Sequence, residues 1–279
     1  MLGNHARRAL TVTFAVAAVL AAAPAAVLAR TETATSGSVA ATFSFTAGAQ
    51  NTYATKTLMI SRSGQVVYDQ PVASSYCGPP AQQQYCAPGF GHSSVHVANL
   101  EPGPEPDVVL DLYTGGAHCC SIEQVFSFDP GTGTYVLSQH DFGDPGARLA
   151  QLGPGGRDEF FTADDSFAYA FTDYADSGLP IKILACAGGR FTDVTRQHPK
   201  LIARDAARYL TAFKHDLSNG DGLIAAWAAD EDNLGHTSLV ASTLSGYRNA
   251  GELRGGNYPS AQKFIAALGK LLKKDGYVH

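Results

Sequence analysis

"ILACAGGRFTDVTRQHPKLIARDAARYLTAF", residues 183–213, is where the chain changes its period. Its first half is two short runs around Gly188-Gly189, the pattern of a β-hairpin. Past "RQHPK" the apolar residues Ala206, Tyr209, Leu210, Phe213 and Leu217 recur at helical spacing. The two sides of this junction extend in both directions along the chain.

Upstream, "TLMISRSGQVVYD" reads as a hairpin about Ser63-Gly64, and "SVHVANL", "DVVLDLYT" and "IEQVFSFD" read as strands. "FDPGTGTYVLS" turns on Asp129-Pro130-Gly131. "SFAYAFT" reads as a strand with Phe167, Tyr169 and Phe171 on one face, either core or, with Tyr174, a glycan platform. Downstream, Leu223, Ala226, Trp227 and Leu234 form a second helical stripe that stops at Gly235. Leu239, Val240, Thr243, Leu244 and Tyr247 form a third, and Phe264, Ile265, Leu268, Leu271 and Leu272 a fourth, capped by Asn257 or Ser260. "DLSNGDGLIAAW" has the look of a calcium loop but puts Leu217 and Ala228 where oxygen ligands belong, so it reads as a helix start capped by Asp221. Strands followed by helices predict an α+β fold. The expected division is a leader over 1–29, a flexible segment and first strand over 30–50, a β-rich region over 51–198, and a helical region over 199–279 packed on it.

The leader has a basic start at His5, Arg7 and Arg8, an apolar run over 9–23, and small residues up to Ala29. That is the layout of a secretory signal peptide, so the expected location is secreted or otherwise extracytoplasmic, with no membrane attachment after cleavage. The chain holds 20 Lys and Arg against 25 Asp and Glu, and the leader carries two of the basic ones. This balance argues against a nucleic-acid partner, which needs a clustered basic face.

Five cysteines, Cys77, Cys86, Cys119, Cys120 and Cys186, imply disulfides in an oxidising compartment. Cys77 and Cys86 bracket "GPPAQQQY" and are expected to pair. For the other three, either Cys119 and Cys120 close on each other and Cys186 stays free, or one of the pair reaches Cys186. A zinc site would draw on His118, Cys119 and Cys120 with His92 and His96, but oxidation removes the thiolates; the plainer role for His118 is a turn residue bonded to a backbone carbonyl.

"NLEPGPEPDVVLDL" from Asn99 and "QLGPGGRDEFFTAD" from Gln151 share a leucine in second place, Pro and Gly in the middle, an acid in ninth place and then a strand. Such an echo marks one supersecondary unit used more than once. The loops resemble FG-GAP or VCBS-type repeats, and "YTGGAHCC" after the first strand is similar to secreted bacterial proteins that carry them. The resemblance implies a β-propeller-like or partial-propeller sheet region outside the cytoplasm, with the Cys119-Cys120 pair as a unit of its own. It also implies a calcium loop, for which Asn99, Glu101 and Asp107 keep ligand places, while Gly103 and Pro104 depart from the pattern and the second loop keeps only Glu159.

No G-x-S-x-G elbow, P-loop or dinucleotide fingerprint is present. The expected function is therefore noncatalytic: loops of a β-rich scaffold present a surface to an extracellular protein or a glycan, with His118, Asp164, Asp165, Asp173 and Asp176 as candidate binding residues and no obligatory cofactor. Two alternatives stand beside it. One is a hydrolase of glycosidase type using acids between Asp158 and Asp176, which needs two carboxyls about 5–9.5 Å apart. The other is a vicinal-disulfide redox site.

Overall fold

In a computed structural model, residues 28–89 and 92–278 are described. The leader expected over 1–29 lies outside these residues except for Leu28 and Ala29. Three antiparallel sheets precede four helices, an α+β fold.

The first sheet runs in chain order through β1 (Leu28–Ser36), β2 (Val39–Ala47), β3 (Tyr53–Arg62) and β4 (Gln65–Pro71). Residues 30–36, expected as a flexible leader, are strand β1 instead, paired with β2 from Leu28↔Ala47 to Ser36↔Val39. Small polar residues there disguise an edge strand, whose exposed side chains need no apolar face. Ser63 and Gly64 take positive φ (51° and 81°), which turns β3 into β4.

The second sheet holds β5 (Ala87–Pro88), β6 (Val95–Ala98), β7 (Asp107–Tyr113), β8 (Ser121–Asp129) and β9 (Thr134–Asp141), with both β5 and β6 paired to β7. The third holds β10 (Arg148–Gln151), β11 (Asp158–Ala163), β12 (Ile181–Ala187) and β13 (Arg190–Asp193). The echo seen in the sequence falls on equivalent places: the Asn99 loop joins β6 to β7, and the Gln151 loop joins β10 to β11. The two loops also touch, because the Asp158 amide donates to Asn99 O at 2.8 Å and the Asn99 amide to Asp158 Oδ2 at 2.9 Å.

Successive sheets stack through their faces. Phe43, Leu58 and Ile60 of the first sheet pack with Val108, Leu110, Leu112 and Phe126 of the second. Val109 and Val125, on the other face of the second sheet, pack with Phe160, Leu184 and Cys186 of the third. Ile181 and Ile183 then meet Ile202. A closed propeller would bring the first and last sheets together, and no core cluster among the described residues does so. The arrangement is an open stack.

The helices are α1 (Pro199–His215), α2 (Asp221–Asn233), α3 (Thr237–Asn249) and α4 (Ala261–Lys274). Their stripes bury Phe213, Trp227, Leu244, Phe264 and Leu268 in one core. Each fully buried side chain of this size contributes about 1.5–3 kcal/mol. Ser260 caps α4 by accepting from the Lys263 amide. Asp221 does not cap α2 as expected; it is the helix's first residue, and its buried carboxylate accepts from the Gly255 amide at 3.2 Å.

Candidate functional site

The turn "YTGGAHCCS" is closed by its own backbone. Thr114 N donates to Cys120 O at 3.1 Å, and Cys120 N donates to Thr114 Oγ1 at 2.9 Å. Gly115 and His118 both take positive φ (80° and 57°), which lets the chain double back. Cys119 and Cys120 are bonded to each other in this turn, Cys77 is bonded to Cys86, and Cys186 is a buried free thiol. Burial pushes the Cys186 thiol up to about 12.

His118 projects from the turn against two rings. Its centroid lies 4.0 Å from that of Tyr174 and 6.2 Å from that of Tyr169, and the two tyrosines are 5.4 Å apart. Asp144 Oδ2 is 3.8 Å from His118 Nδ1. "SFAYAFT" is not a strand: it is a short 3-10 turn followed by irregular backbone, and Tyr169 has φ 59°. The left-handed residue breaks the alternation, so Phe167 and Phe171 enter the helical core while Tyr169, 55% exposed, stays outside. The four aromatics expected as one group are thus divided between two roles.

The acids named from the sequence are spent on separate partners. Asp164 accepts from Tyr277 Oη at 2.8 Å, lies 3.4 Å from Lys182 Nζ, and takes the Ser166 amide at 3.1 Å. Burial pushes its carboxyl up, but Lys182, Tyr277 and Ser166 outweigh this and hold it below the usual range. It ties the third sheet to the C-terminal residues. Asp165 is raised by burial and by the neighbouring Asp144. Asp173 accepts from the Asp176 amide at 3.1 Å and so shapes the Tyr174 loop. The calcium candidates are likewise divided: Asn99 meets Asp158 through its backbone, Glu101 accepts from the Gly188 amide, and Asp107 is buried with its Oδ2 unpartnered. Burial raises the Asp107 carboxyl to about 6.

A second cluster lies where the second and third sheets meet. His92, beside β6, and His96, within it, converge on Asp111 of β7. His92 Nδ1 is 3.2 Å and His96 Nε2 3.5 Å from Asp111 Oδ2. Asp111 pairs in register with Glu123 of β8, and Glu123 with His140 of β9, so the three side chains share a face. Glu123 is raised well above the usual range by burial and by its hydrogen bond with Asp111. His96 is raised by its hydrogen bond to Asp111. The cleft above the cluster has a volume of about 320 Å³ and is lined by His92, His96, Asp111, Glu123, Arg148 and Leu149.

Sequence reasoning had the histidine pair but linked it to Cys119 and Cys120. Asp111 was hidden in the apolar run "DVVLDLY". The available signal was alternation, which places Asp107, Val109 and Asp111 on one face.

Among known proteins, the chain is similar to a "Probable thylakoid lumen protein" of Synechocystis, 30% identical over 150 residues, which are 52% of this chain and 44% of that protein. It is also similar to an "Uncharacterized protein" of Sinorhizobium fredii, 25% identical over 137 residues, 48% of this chain and 22% of that protein. The chain thus spans less than half the length of these relatives. No family model and no solved structure matches it. Among the described residues, no helix is long and apolar enough to cross a membrane.

Proposed function

We propose that this chain is an exported, noncatalytic binding protein that presents the His118–Tyr169–Tyr174 rim to a glycan. The observation that carries the reading is the ring trio itself. A bulky residue in the left-handed region costs about 1–2 kcal/mol, and two of the three rings stand on such backbone. Strain of this kind persists where the surrounding structure enforces it, and it clusters at binding sites. Aromatic faces stack on the C–H faces of sugars, and the carboxylates of Asp144, Asp173 and Asp176 offer acceptors for hydroxyl groups.

Export is supported by the leader pattern, by the paired cysteines, and by a relative described as lumenal, a compartment outside the cytoplasm. The FG-GAP-like reading of the sheets is supported by the two echoing loops, each of which joins the first two strands of a four-strand meander. The closed turn around Cys119–Cys120 serves as the rigid mount for His118.

A glycan panel, followed by calorimetry with any hit, tests the reading. Binding should fall about 2- to 10-fold in Tyr169→Ala, the loss of one well-placed stacking contact. Equal binding by Tyr169→Ala and Tyr174→Ala would remove the rim from the account.

A further inference from the structure

We propose that His92, His96 and Asp111 form a binding site for a divalent transition-metal ion of the zinc class. The site is separate from the aromatic rim and does not depend on the glycan reading.

The first support is geometric. Zinc bonds to imidazole nitrogen and carboxylate oxygen at about 2.0–2.2 Å, so two ligand atoms of a tetrahedral site lie roughly 3.3–3.6 Å apart. The two histidine–aspartate separations are 3.2 and 3.5 Å, and all three ligand atoms lie within 4.8 Å of one another. A single ion can therefore touch all three with small side-chain adjustment. Two imidazoles and one carboxylate are a donor set that suits zinc and its first-row neighbours rather than calcium or magnesium, which require oxygen shells.

The second support is how firmly Asp111 is held. Its amide donates to Ser94 O at 2.7 Å, and Ser94 Oγ accepts from the Gly89 amide at 3.0 Å. Glu32, from β1, accepts from both the amide and the hydroxyl of the Ser93–Ser94 segment. Gly89 leaves no room for movement on the other side: a Cβ there would stand 2.8 Å from Asp111 Cβ and 3.2 Å from His92 Cε1. Ligands fixed by an outer layer of hydrogen bonds are the common pattern at metal centres.

The third support is Glu123. It is 2% exposed and lines the same cleft, and its Oε2 has no hydrogen-bond partner. Two adjacent buried carboxyl groups are costly unless a proton or a cation lies between them and water. An ion on Asp111 would supply that cation, and Glu123 would orient the ligating carboxylate. His92 Nδ1 also lies 2.9 Å from Ser93 O, so the loaded state needs the His92 proton on Nε2, leaving Nδ1 free to ligate. The cleft leaves the ion's remaining positions open to water or to an anionic ligand on the Arg148 side. Arg148 is held there by its stack over the Phe161 ring, 4.3 Å from its centroid.

The test uses tag-free, disulfide-intact protein stripped with EDTA and then titrated with zinc against a chromophoric competitor. One ion per chain should bind. His96→Ala and His92→Ala should each weaken binding by more than about 100-fold, beyond what loss of an outer-layer group costs. Both histidines are partly exposed, so these variants should remain folded, as melting curves without metal would show. Tyr169→Ala should bind zinc like the parent, which separates this site from the glycan rim. Absence of a stoichiometric ion, or binding that survives both histidine changes, would overturn the proposal.

Discussion

Strands β7 and β8 present two faces of the same backbone to two different neighbours. Toward the first sheet they offer Val108, Leu110, Leu112, Ile122 and Phe126, all at most 1% exposed. Toward the third they offer Asp107, Val109, Asp111, Glu123, Val125 and Ser127. Both faces are buried, yet one is almost wholly apolar and the other carries three acids. Buried ionisable groups cost several kcal/mol each unless they are paired or neutralised, and a domain's whole stability is only about 5–15 kcal/mol. The contrast teaches that the first interface is built for cohesion, whereas the second tolerates a loss of cohesion for the sake of what it holds.

Cavity formation should give the largest effect. Leu110→Ala, in the apolar interface, should cost about 2–5 kcal/mol in urea unfolding, whereas Glu123→Gln should stay within about 1 kcal/mol of the parent or exceed it. Equal losses from the two would break the distinction. Next, removing Cys77–Cys86 with paired serine changes should cost roughly 2–3 kcal/mol, since the bridge closes a short loop at the edge of the apolar interface.

The polar interface should also show itself in pH dependence. Asp107 has its carboxyl raised from 3.8 to about 6, so the folded state holds a proton that the unfolded chain has released. That contribution is complete below about pH 4 and is lost as pH rises through about 6, on the order of 2 kcal/mol. Asp107→Asn should flatten the slope in chemical denaturation across that window, and Glu123, also raised by burial, contributes a decline of the same sign. The smallest effect should come at the rim. Tyr169→Gly should gain about 1 kcal/mol in a thermal melt by relieving left-handed backbone while losing glycan binding. A destabilised glycine variant would show that the ring contributes to packing after all.

The helices and most strands were legible because each carries one apolar face with an unbroken period. Phe213, Trp227, Leu244 and Phe264 are all core residues, as their stripes indicate. Glycine pairs and Ser63-Gly64 marked the hairpins because few other sequences accept positive φ. Three things were not legible. β1 has no apolar face to announce it. Tyr169 departs from alternation through its own backbone angle, which residue type does not encode. The His92–His96–Asp111 cluster joins residues from a loop and two strands, and only the register of β6 on β7 brings them together. Alternation does place Asp107 and Asp111 on one face, but it does not show that this face is covered by a third sheet.

An odd number of cysteines has a consequence for how the chain reaches this state. The Cys186 thiol, buried and raised to about 12, has a thiolate fraction near neutrality of only about one in 10⁵, so in the finished molecule it is a poor attacker of either bridge. Before β12 is covered it has no such protection, and its reactivity is that of an ordinary thiol. The third sheet therefore acts as a chemical seal as well as a structural layer. Oxidants that pair the earlier cysteines before residue 186 enters the fold should give homogeneous product, and late oxidation of a reduced chain should give mixed disulfides.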